Sequence, residues 1–481
     1  MRPVRAIVLA AGQGKRMKSS RPKVLHDVFG RAILSRVMDA VSRAGSNMKN
    51  GSIAASDIQL RLEHLHLVVG HSASVVSEYV AQNPPPCPFS SHLQEPQLGT
   101  GHAVMQVMPA LEAFEGTLLV TVGDAPVIQA DTLGALLETH RKNGAVITAL
   151  SAEVDDPKNY GRMVRDEAGK FKGIVEDKDA GPAEKLIKEV NTGIYCIEWP
   201  AAMAGLNSLS CENKQKEYYL TDLVAWAYNN KMATATMVLS DPREVCGINS
   251  RVELAEAIKH LRDITLTKLA LESGVTIVDP QSTWISPEVK IGQETVILPG
   301  CYLTGDIEIG ENCSIGPYTV MKGRVKVGAG TTIVNSHVND TTIGAGAKIG
   351  PFAHLREGNA IGDNSKVGNF VELKKATVGN KTNVSHLTYI GDATLGNNVN
   401  IGAGTITANY DHLTKKKERT TINDGASTGS NSVLVAPVEL GAEAVVAAGT
   451  VVTKSVPAGA LVVARAKQEI KEGWSERRKK R

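Results

Sequence analysis

The sequence predicts two folds in one chain, an α/β domain followed by a parallel β-helix. In the first half, short apolar runs alternate with amphipathic segments, a pattern typical of a mostly parallel sheet covered on both faces by helices. In the C-terminal part, aliphatic residues recur every six positions, which fits neither a helix nor an exposed strand. Between the two patterns, residues 249–272 have helical spacing without proline or glycine and predict a linker helix.

The apolar runs and amphipathic stretches of the first half predict its strands and helices. The predicted strands are Ala6–Ala11, Leu65–Val69, Leu118–Val122 and Ala145–Leu150. The predicted helices are Ile33–Ala44, Thr132–Lys142 and Leu220–Asn229. Two segments predict loops, the polar stretch Ser46–Asp57 and the proline-rich stretch Pro84–Pro88.

The six-residue repeat predicts three short strands per coil, each pointing one aliphatic side chain into a narrow prism. The repeated positions are Ile291, Ile297, Leu303, Ile309, Ile315, Met321, Val327, Ile333, Ile343, Ile349, Leu355, Ile361, Val367, Leu373, Leu434, Leu440, Val446 and Val452. The register slips between Ile333 and Ile343, and a polar insert occupies His412–Thr421. Both interruptions predict protruding loops, and a solenoid of this kind indicates acyl transfer.

Length and composition limit the class of protein. The 481 residues predict three parts, residues 1–248, the linker 249–272 and residues 273–481. A net charge of +3 gives no field that favours nucleic acid or membranes, and the basic residues 477–481 are interpreted as a solvated terminus. Six scattered cysteines without a CxxC pair argue against disulfides or zinc and favour a reducing cytoplasm. No apolar run reaches the ~18 residues of a membrane span, and the N-terminal run is too short for a signal peptide.

A glycine-rich turn follows the first predicted strand. Glycines in residues 12–14 let backbone amides approach a phosphate, and Arg16 and Lys23 supply positive charge. The spacing is neither a Walker loop nor a dinucleotide-binding loop. Asp124 follows another predicted strand and is a candidate Mg²⁺ ligand, because carboxylate oxygens suit that ion. Taken alone, a structural turn and a capping aspartate are the alternatives.

These residues resemble the signature of sugar-1-phosphate nucleotidyltransferases. The matching motifs, in chain order, are Leu9-Ala10-Ala11-Gly12-x-Gly14-x-Arg16-Met17, Pro22-Lys23, residues 94–103, Gly123-Asp124, Tyr160-Gly161-Arg162, Gly173-Ile174-Val175-Glu176, Asn191-Thr192-Gly193 and residues 218–222. The resemblance implies a Rossmann-like domain. In it, a sugar-phosphate oxygen attacks the α-phosphorus of a nucleoside triphosphate and pyrophosphate leaves.

The resemblance also implies a role for each matching residue. Arg16 and Lys23 would grip triphosphate oxygens as catalytic cations, and Asp124 and Asn249 would hold Mg²⁺ together. The base would be read by Gln94, Gln97, Gly99 and Thr100, and the sugar by Gly161, Glu176 and Asn191. Leu9, Ala10, Ala11, Gly12, Val122 and Gly123 complete the implied substrate-binding set. Two departures are expected to matter: Ser46–Asp57 looks like an insertion, and Val122 stands where some members carry tyrosine, so one contact is missing or made differently.

Polar and aromatic residues interrupt the later coils of the β-helix. His386 is the natural general base, because imidazole titrates near neutrality, and His337 and His354 are its rivals. Residues expected within one or two coils of His386 are Tyr389, Asn400, Asn409 and Tyr410. Arg356 and Lys374, on neighbouring coils, suit the binding of a phosphate group.

Residues 350–465 closely resemble the acetyltransferase half of the bacterial bifunctional GlmU family, which joins an N-acetylglucosamine-1-phosphate uridylyltransferase to a glucosamine-1-phosphate N-acetyltransferase. The resemblance implies a left-handed β-helix, acetyl-CoA as donor, and a homotrimer with acetyl sites between adjacent subunits. His386 would take the amine proton, and Arg356, Lys374, Tyr389 and Asn400 would hold glucosamine-1-phosphate. The acetyl-CoA cleft would be lined by Ala403, Asn409, Tyr410, Ser430, Ala448 and Arg465.

The predicted function is therefore that of two enzymes in one chain. Glucosamine-1-phosphate is acetylated first, and N-acetylglucosamine-1-phosphate then reacts with UTP to give UDP-N-acetylglucosamine, a precursor of peptidoglycan and lipopolysaccharide. One alternative is a sugar-1-phosphate nucleotidyltransferase whose β-helix is only structural or regulatory. Another is a non-catalytic scaffold, against which the intact set of Gly12, Lys23 and Asp124 argues.

Overall fold

The computed structural model describes residues 3–44 and 62–479, so the predicted loop Ser46–Asp57 lies outside the described part of the chain. The chain divides into two compact units, Met1–Leu261 and Arg262–Arg481. Within the described residues, no helix combines the length and apolar character that crossing a bilayer would require. The boundary between the units falls inside one long helix, Arg251–Ser273.

The first unit is a sheet with helices on both faces. Its strands are β1 (Val4–Ala10), β2 (Asp27–Val28), β3 (Arg31–Ala32), β4 (Leu62–Val69), β5 (Phe89–Leu93), β6 (Gly116–Val122), β7 (Ile147–Glu153), β8 (Arg162–Arg165), β9 (Phe171–Val175), β10 (Glu189–Trp199) and β11 (Thr234–Leu239). Its helices are α1 (Ile33–Arg43), α2 (Ala73–Gln82), α3 (Thr100–Met105), α4 (Ala130–Asn143), α5 (Met203–Asn207), α6 (Asp222–Asn229) and α7 (Arg251–Ser273), the last of which continues into the second unit. Short 3-10 turns are Lys15–Met17, Lys23–Leu25, Met108–Leu111, Glu184–Leu186 and Pro242–Val245.

The main path of the sheet has the order β11-β7-β10-β6-β1-β4-β5. Strands β6, β1, β4 and β5 pair in parallel, as do β11 and β7, which confirms the predicted mostly parallel sheet. Strand β10 runs antiparallel to both β6 and β7, a reversal that the alternation of apolar runs did not predict. Apolar side chains cover the two faces: Leu65 and Leu67 belong to one buried cluster and Val68 to the other.

The carboxyl ends of the parallel strands place the candidate nucleotide site. Strands β1 and β6 are direct neighbours, so the turn after Ala10 and the residues after Val122 meet at one edge. The Gly123 amide donates to the Leu9 carbonyl over 2.8 Å, and a Cβ at Gly123 would lie 3.0 Å from that oxygen. A glycine makes this approach without any shift of the neighbouring strand, at the edge where ligands bind in open α/β sheets.

The second unit is a solenoid of short parallel strands. The strands of its first face, called face A, are Thr276–Ile277, Val296–Ile297, Ser314–Ile315, Thr332–Ile333, Lys348–Ile349, Lys366–Asn369, Asn383–His386, Asn400–Ile401, Ser427–Thr428, Val445–Val446 and Leu461–Val462. The strands of faces B and C form two further ladders. Face B holds Trp284–Ile285, His337–Asn339, His354–Leu355, Glu372–Lys374, Tyr389–Gly391, Ile406–Ala408, Val433–Val435 and Val451–Val452. Face C holds Lys290–Ile291, Thr341–Ile343, Asn359–Ile361, Thr377–Val378, Ala393–Leu395, Thr420–Ile422 and Val438–Leu440. The longer strands Tyr302–Ile309 and Val320–Val327 run through both B and C. A short helix, α8 (Trp474–Lys479), follows the solenoid.

The six-residue repeat builds one continuous apolar core, in which the repeated aliphatic side chains are buried. The predicted loop at the register slip is wrong. Val338 is fully buried and pairs with Met321. It stands midway between Ile333 and Ile343, where the regular six-residue spacing would need two more residues, so two sides of this coil are each one residue shorter. The slip is absorbed without a loop because the buried row stays aligned. The other predicted interruption does project, as an exposed stretch over residues 411–419 before the strand that starts at Thr420.

Candidate functional site

The glycine-rich turn lies open at the end of β1. Gly12 and Gln13 are exposed, and Arg16 is an exposed cation on the short turn that follows. Gly14 has a left-handed φ of 61°, and a Cβ there would lie 2.6 Å from Lys23 Cβ. The turn therefore packs its glycine on the Lys23 stem and leaves backbone amides free of side-chain cover, as an anion site requires.

Lys23, Asp124 and Asn249 converge on one point. The Lys23 Nζ lies 2.5 Å from Asp124 Oδ2 and 3.1 Å from Asn249 Oδ1. The side chains of Lys23 and Asp124 are only 10% and 21% exposed. Two hard oxygen donors around one cation position are a donor set that suits Mg²⁺, which is usually held by one or two protein oxygens plus waters and substrate phosphates. Within residues 3–44 and 62–479, no group of three or more His, Cys, Asp or Glu forms a protein cage for a metal ion.

The predicted base-binding segment, residues 94–100, is held at both ends. Gln94 Nε2 donates to the Gly99 carbonyl over 2.8 Å, and Gln97 Nε2 donates to the Ala11 carbonyl over 2.9 Å. Thr100 Oγ1 accepts a bond from the Leu220 amide. Gln94 is buried, and Gly99 has a φ of 105° that favours glycine. The segment thus lies against the turn after β1 with the side chains of Gln94 and Gln97 fixed by hydrogen bonds.

The predicted sugar-binding residues form a second cluster. The Asn191 amide donates to the Gly161 carbonyl over 2.8 Å, and a Cβ at Gly161 would lie 3.6 Å from Glu176 Oε1. Burial raises the pKa of the Glu176 carboxyl, and the hydrogen bond from Thr221 Oγ1 opposes that rise. Thr221 had no role assigned from the sequence, although it belongs to one of the quoted motifs.

Tyr160 and Val122 lie beside the predicted sugar-binding residues. Burial is the main cause that raises the pKa of Tyr160 to about 12, and the charge of Asp124 adds to it. Tyr160 directly precedes Gly161 of the sugar cluster. Val122 lies 3.0 Å from where a Cβ at Gly193 would be, beside the Asn191 turn. Val122, which stands where some members of the family carry tyrosine, is therefore close to the predicted sugar-binding residues.

In the second unit, His386 has a partner that sets its tautomer. Its Nδ1 lies 2.6 Å from Asn369 Oδ1, one coil away, and the two residues pair in register. An amide oxygen can only accept, so Nδ1 carries the proton and the Nε2 lone pair is free to take another. The rivals His337 and His354 lie on face B, where their rings contact each other with centroids 6.2 Å apart.

The corner between faces A and B stacks predicted site residues into one row. Backbone hydrogen bonds join each coil to the previous one at this corner. The amides of Leu387, Gly404, Asn431 and Gly449 donate to the carbonyls of Asn369, His386, Ala403 and Ser430, respectively. The row, called the A/B corner row, is Asn369, His386, Ala403, Ser430 and Ala448. Arg465 Nη1 donates to the Ala448 carbonyl at its end. Four of the residues assigned to acetyl-CoA, namely Ala403, Ser430, Ala448 and Arg465, thus continue from the candidate base along one edge, whereas Asn409 and Tyr410 lie at the end of a face B strand.

Face B carries the candidate cations at the end of its strands that leads to face C. Arg356 and Lys374 are register neighbours on adjacent coils, and each is paired, Arg356 Nη1 with Glu372 at 3.1 Å and Lys374 Nζ with Glu357 at 3.0 Å. Arg356 and both glutamates are 38–47% exposed, so solvent weakens these pairs and a phosphate dianion can compete for both cations. Glu357 and Glu372 were not predicted as site residues, although each lies within one coil of the cation that it pairs with.

Gly391 leaves room on face B for the side chains of Tyr389 and Asn409. A Cβ there would collide with Tyr389 Oη and lie 2.8 Å from Asn409 Nδ2, so both polar groups converge above the glycine. Asn409 Nδ2 donates to Asp392 Oδ2 over 2.6 Å, and Tyr410 is 53% exposed where the projecting loop begins. Arg356, Lys374, Tyr389 and Asn409 are therefore brought together on one face.

Asn400 lies apart from this cluster. It is on face A, in register with Asn383 and Ser427, whereas Tyr389 and the cations are on face B. The structure thus divides the predicted glucosamine-phosphate residues between two faces that meet at the A/B corner row.

Comparisons with known proteins agree with this division into two units. Residues 6–189 match the MobA-like NTP transferase domain family, and residues 288–323 and 340–375 match the bacterial transferase hexapeptide repeats. The fold and its candidate sites thus define a nucleotidyltransferase joined to a left-handed β-helix of hexapeptide repeats.

Relatives that match over nearly the full length of the chain identify the family within this class of nucleotidyltransferases. The chain is similar to proteins called bifunctional protein GlmU from Pelobacter propionicus, with 43% identity over 100% of both chains, and from Heliobacterium modesticaldum, with 44% identity over 99% of this chain and 98% of the relative. The one from Synechococcus sp. is 45% identical over 97% of this chain and 98% of the relative. The chain belongs to the bifunctional GlmU family.

The predicted bifunctional enzyme is confirmed by this membership. The protein transfers acetyl from acetyl-CoA to glucosamine-1-phosphate and uridylyl from UTP to N-acetylglucosamine-1-phosphate, in cell-wall precursor synthesis. Nucleotidyl transfer in this family depends on a metal.

Proposed function

We propose that the two reactions divide between the parts predicted from the sequence. Residues 1–248 carry uridylyl transfer, residues 273–481 carry acetyl transfer, and 249–272 link them. The observation that carries the assignment of the second part is the bond between Asn369 and His386, because a purely structural solenoid has no need of an imidazole held as a base. It favours the bifunctional interpretation over a β-helix that is only structural or regulatory.

In acetyl transfer, Arg356 and Lys374 bind the phosphate of glucosamine-1-phosphate, and Tyr389 and Asn400 orient the sugar. The amine nitrogen attacks the thioester carbonyl of acetyl-CoA, a C–N bond forms and the C–S bond breaks. His386 Nε2 takes the amine proton and can return it to the departing thiolate, so the products are N-acetylglucosamine-1-phosphate and free coenzyme A. Ala403, Asn409, Tyr410, Ser430, Ala448 and Arg465 line the coenzyme A cleft.

In uridylyl transfer, the chain positions two anions against each other. Gln94, Gln97, Gly99 and Thr100 bind uracil beside the backbone of Leu9, Ala10, Ala11 and Gly12, while Arg16 and Lys23 bind the triphosphate. Gly161, Glu176, Asn191, Val122 and Gly123 place the sugar, so that its phosphate oxygen faces the α-phosphorus. We propose Mg²⁺ as the metal, with Asp124 and Asn249 as its protein ligands. When bound, it neutralises charge on the reacting phosphates.

The experiment that tests the assignment follows both products from one purified chain. With acetyl-CoA and glucosamine-1-phosphate we expect free thiol to appear, and with UTP and Mg²⁺ added we expect pyrophosphate in an amount that does not exceed the acetylated sugar. Unacetylated glucosamine-1-phosphate with UTP alone is the control. Pyrophosphate without any thiol release would support the alternative of a structural β-helix.

We also propose a homotrimer with acetyl sites between subunits. At the A/B corner, Tyr318, Phe352, Phe370 and Leu387 are 51–63% exposed and adopt left-handed φ angles of 51–60°. Phe352, Phe370 and Leu387 lie on successive coils, and the coil that carries Asn335 separates Phe352 from Tyr318. The rings of Phe352 and Phe370 stack with centroids 5.3 Å apart. Bulky residues rarely adopt this backbone region, and an exposed apolar ladder marks an interface. Because Phe370 and Leu387 directly follow Asn369 and His386, a second subunit here would close over the base.

Charged side chains in this ladder should break the assembly. In the double variant Phe352→Glu, Phe370→Glu, light scattering after gel filtration should show the mass of one chain rather than three. Acetyl transfer should fall by about 10²-fold or more, because the site loses residues from a neighbouring subunit. Pyrophosphate release should persist. Leu186→Glu, 82% exposed in the first unit, is the matched control. An unchanged mass for the double variant would contradict the proposed interface.

We propose that the enzyme works in the cytoplasm, where acetyl-CoA and UTP are available. All six cysteines lie in the described residues and are free thiols, which suits a reducing compartment.

A further inference from the structure

We propose that Lys23 occupies the metal position of the uridylyl site in the metal-free enzyme, and that the metal must displace its ammonium to bind. The inference deepens the proposed function, since it rests on Asp124 and Asn249 as metal ligands. It gives Lys23 two partners in turn, the aspartate before the metal binds and the triphosphate afterwards.

The distances make the two cations mutually exclusive. The Lys23 Nζ lies 2.5 Å from Asp124 Oδ2 and 3.1 Å from Asn249 Oδ1, so the ammonium fills the point toward which both oxygens are directed. A Mg²⁺ ion bound to the same oxygens would lie about 2.1 Å from each. The ion and the ammonium would therefore compete for the same two oxygens and repel each other, so we expect the side chain to move when the ion enters.

Burial explains why a cation should be present at all times. The Asp124 carboxylate is only 21% exposed, and an uncompensated charge in such a place is costly. Gly247 backs it closely, since a Cβ there would lie 3.5 Å from Asp124 Oδ1. In the metal-free state, Lys23 supplies the charge that compensates the Asp124 carboxylate. Its ammonium also separates Asp124 Oδ2 from Asn249 Oδ1, two partly negative atoms that would otherwise repel each other.

The surroundings of Lys23 indicate where its ammonium goes next. Its stem packs on Gly14 of the glycine-rich turn, which is part of the proposed triphosphate site, so a bound triphosphate would lie within reach of the flexible end of this side chain. A free metal ion must break the ion pair and leave the ammonium without an anion. A metal ion that arrives with a triphosphate offers that ammonium a new partner. Metal and nucleotide binding should therefore favour each other.

The test measures metal binding directly, without turnover. Mn²⁺ is titrated into the nucleotide-free protein and the free ion is followed by electron paramagnetic resonance. Lys23→Met should bind Mn²⁺ at least about tenfold more tightly than the unmodified enzyme, because no ion pair has to be broken. The melting temperature of Lys23→Met should also rise more on addition of Mn²⁺ than that of the unmodified enzyme.

Three further variants separate the outcomes. Lys18→Met, which removes an exposed lysine of the same segment, should bind Mn²⁺ as the unmodified enzyme does. Lys23→Gln, whose amide can still donate to Asp124, provides a second folded variant and should also bind more tightly. If Asp124→Asn loses Mn²⁺ while both Lys23 variants match the unmodified enzyme, Lys23 does not hold the metal position. If Asp124→Asn binds Mn²⁺ unchanged, the metal site itself is misplaced.

Discussion

Replacing His386 with alanine should lower acetyl transfer by about 10²–10⁴-fold, the usual contribution of a positioned general base. The Nε2 lone pair would be lost, and no other imidazole lies in the A/B corner row of the described residues. Uridylyl transfer should be unchanged, since His386 is in the other unit. Thiol release from acetyl-CoA measures the first effect, and pyrophosphate release from UTP with N-acetylglucosamine-1-phosphate measures the second.

His354→Ala is the matched control, because it removes an exposed imidazole from face B of the same solenoid and should keep acetyl transfer within about twofold. Asn369→Ala should cause a smaller loss than His386→Ala, since the imidazole remains but both tautomers become accessible. Acetylation that survives in His386→Ala would show that another group takes the amine proton.

Replacing Asp124 with asparagine should have the opposite selectivity. Uridylyl transfer should fall by about 10²–10³-fold at limiting Mg²⁺, because one charged oxygen of the proposed metal site is lost. Acetyl transfer should stay intact. The free energy of unfolding should also fall by about 1–3 kcal/mol, because the poorly exposed Lys23 ammonium loses its carboxylate. Pyrophosphate release as a function of Mg²⁺ and a denaturant titration measure the two effects.

Asp131→Asn is the matched control, an exposed aspartate in the first turn of α4. It removes the same charge from the same unit and should change neither rate by more than about twofold. Unchanged uridylyl transfer of Asp124→Asn at limiting Mg²⁺ would remove Asp124 from the metal site.

Local patterns predicted the elements wherever burial alone dictates them. The apolar runs around Leu65–Val69 and Leu118–Val122 became strands because parallel strands covered on both faces must be apolar throughout. The direction of β10 was not predictable, since a buried antiparallel strand carries the same apolar pattern. The slip at Val338 was misread as a loop, because a shorter coil and a protruding loop interrupt the spacing in the same way.

In the candidate sites, too, some residues could be predicted from the sequence and others could not. Residue chemistry selected Lys23, Asp124 and His386, because phosphate, metal and proton transfer each require particular side chains. Their partners came from spatial pairing: Asn369 reaches His386 only through the coil register, and Thr221 reaches Glu176 from 45 residues away. Glu357 and Glu372 were missed because carboxylates beside a phosphate site have no sequence signature of their own.

The six-residue solenoid, the α/β unit before it and the types of residue that carry the chemistry could be predicted from the amino-acid order, because they follow from local spacing and burial. The contact of Lys23 with Asp124 and Asn249, which are 101 and 226 positions away, became visible in the folded chain alone. Likewise, only the coil register aligned His386 with Asn369, Ala403, Ser430 and Ala448. The physical reason is that strand order and register depend on the packing of the whole core, whereas the reacting groups must meet within a hydrogen bond's length.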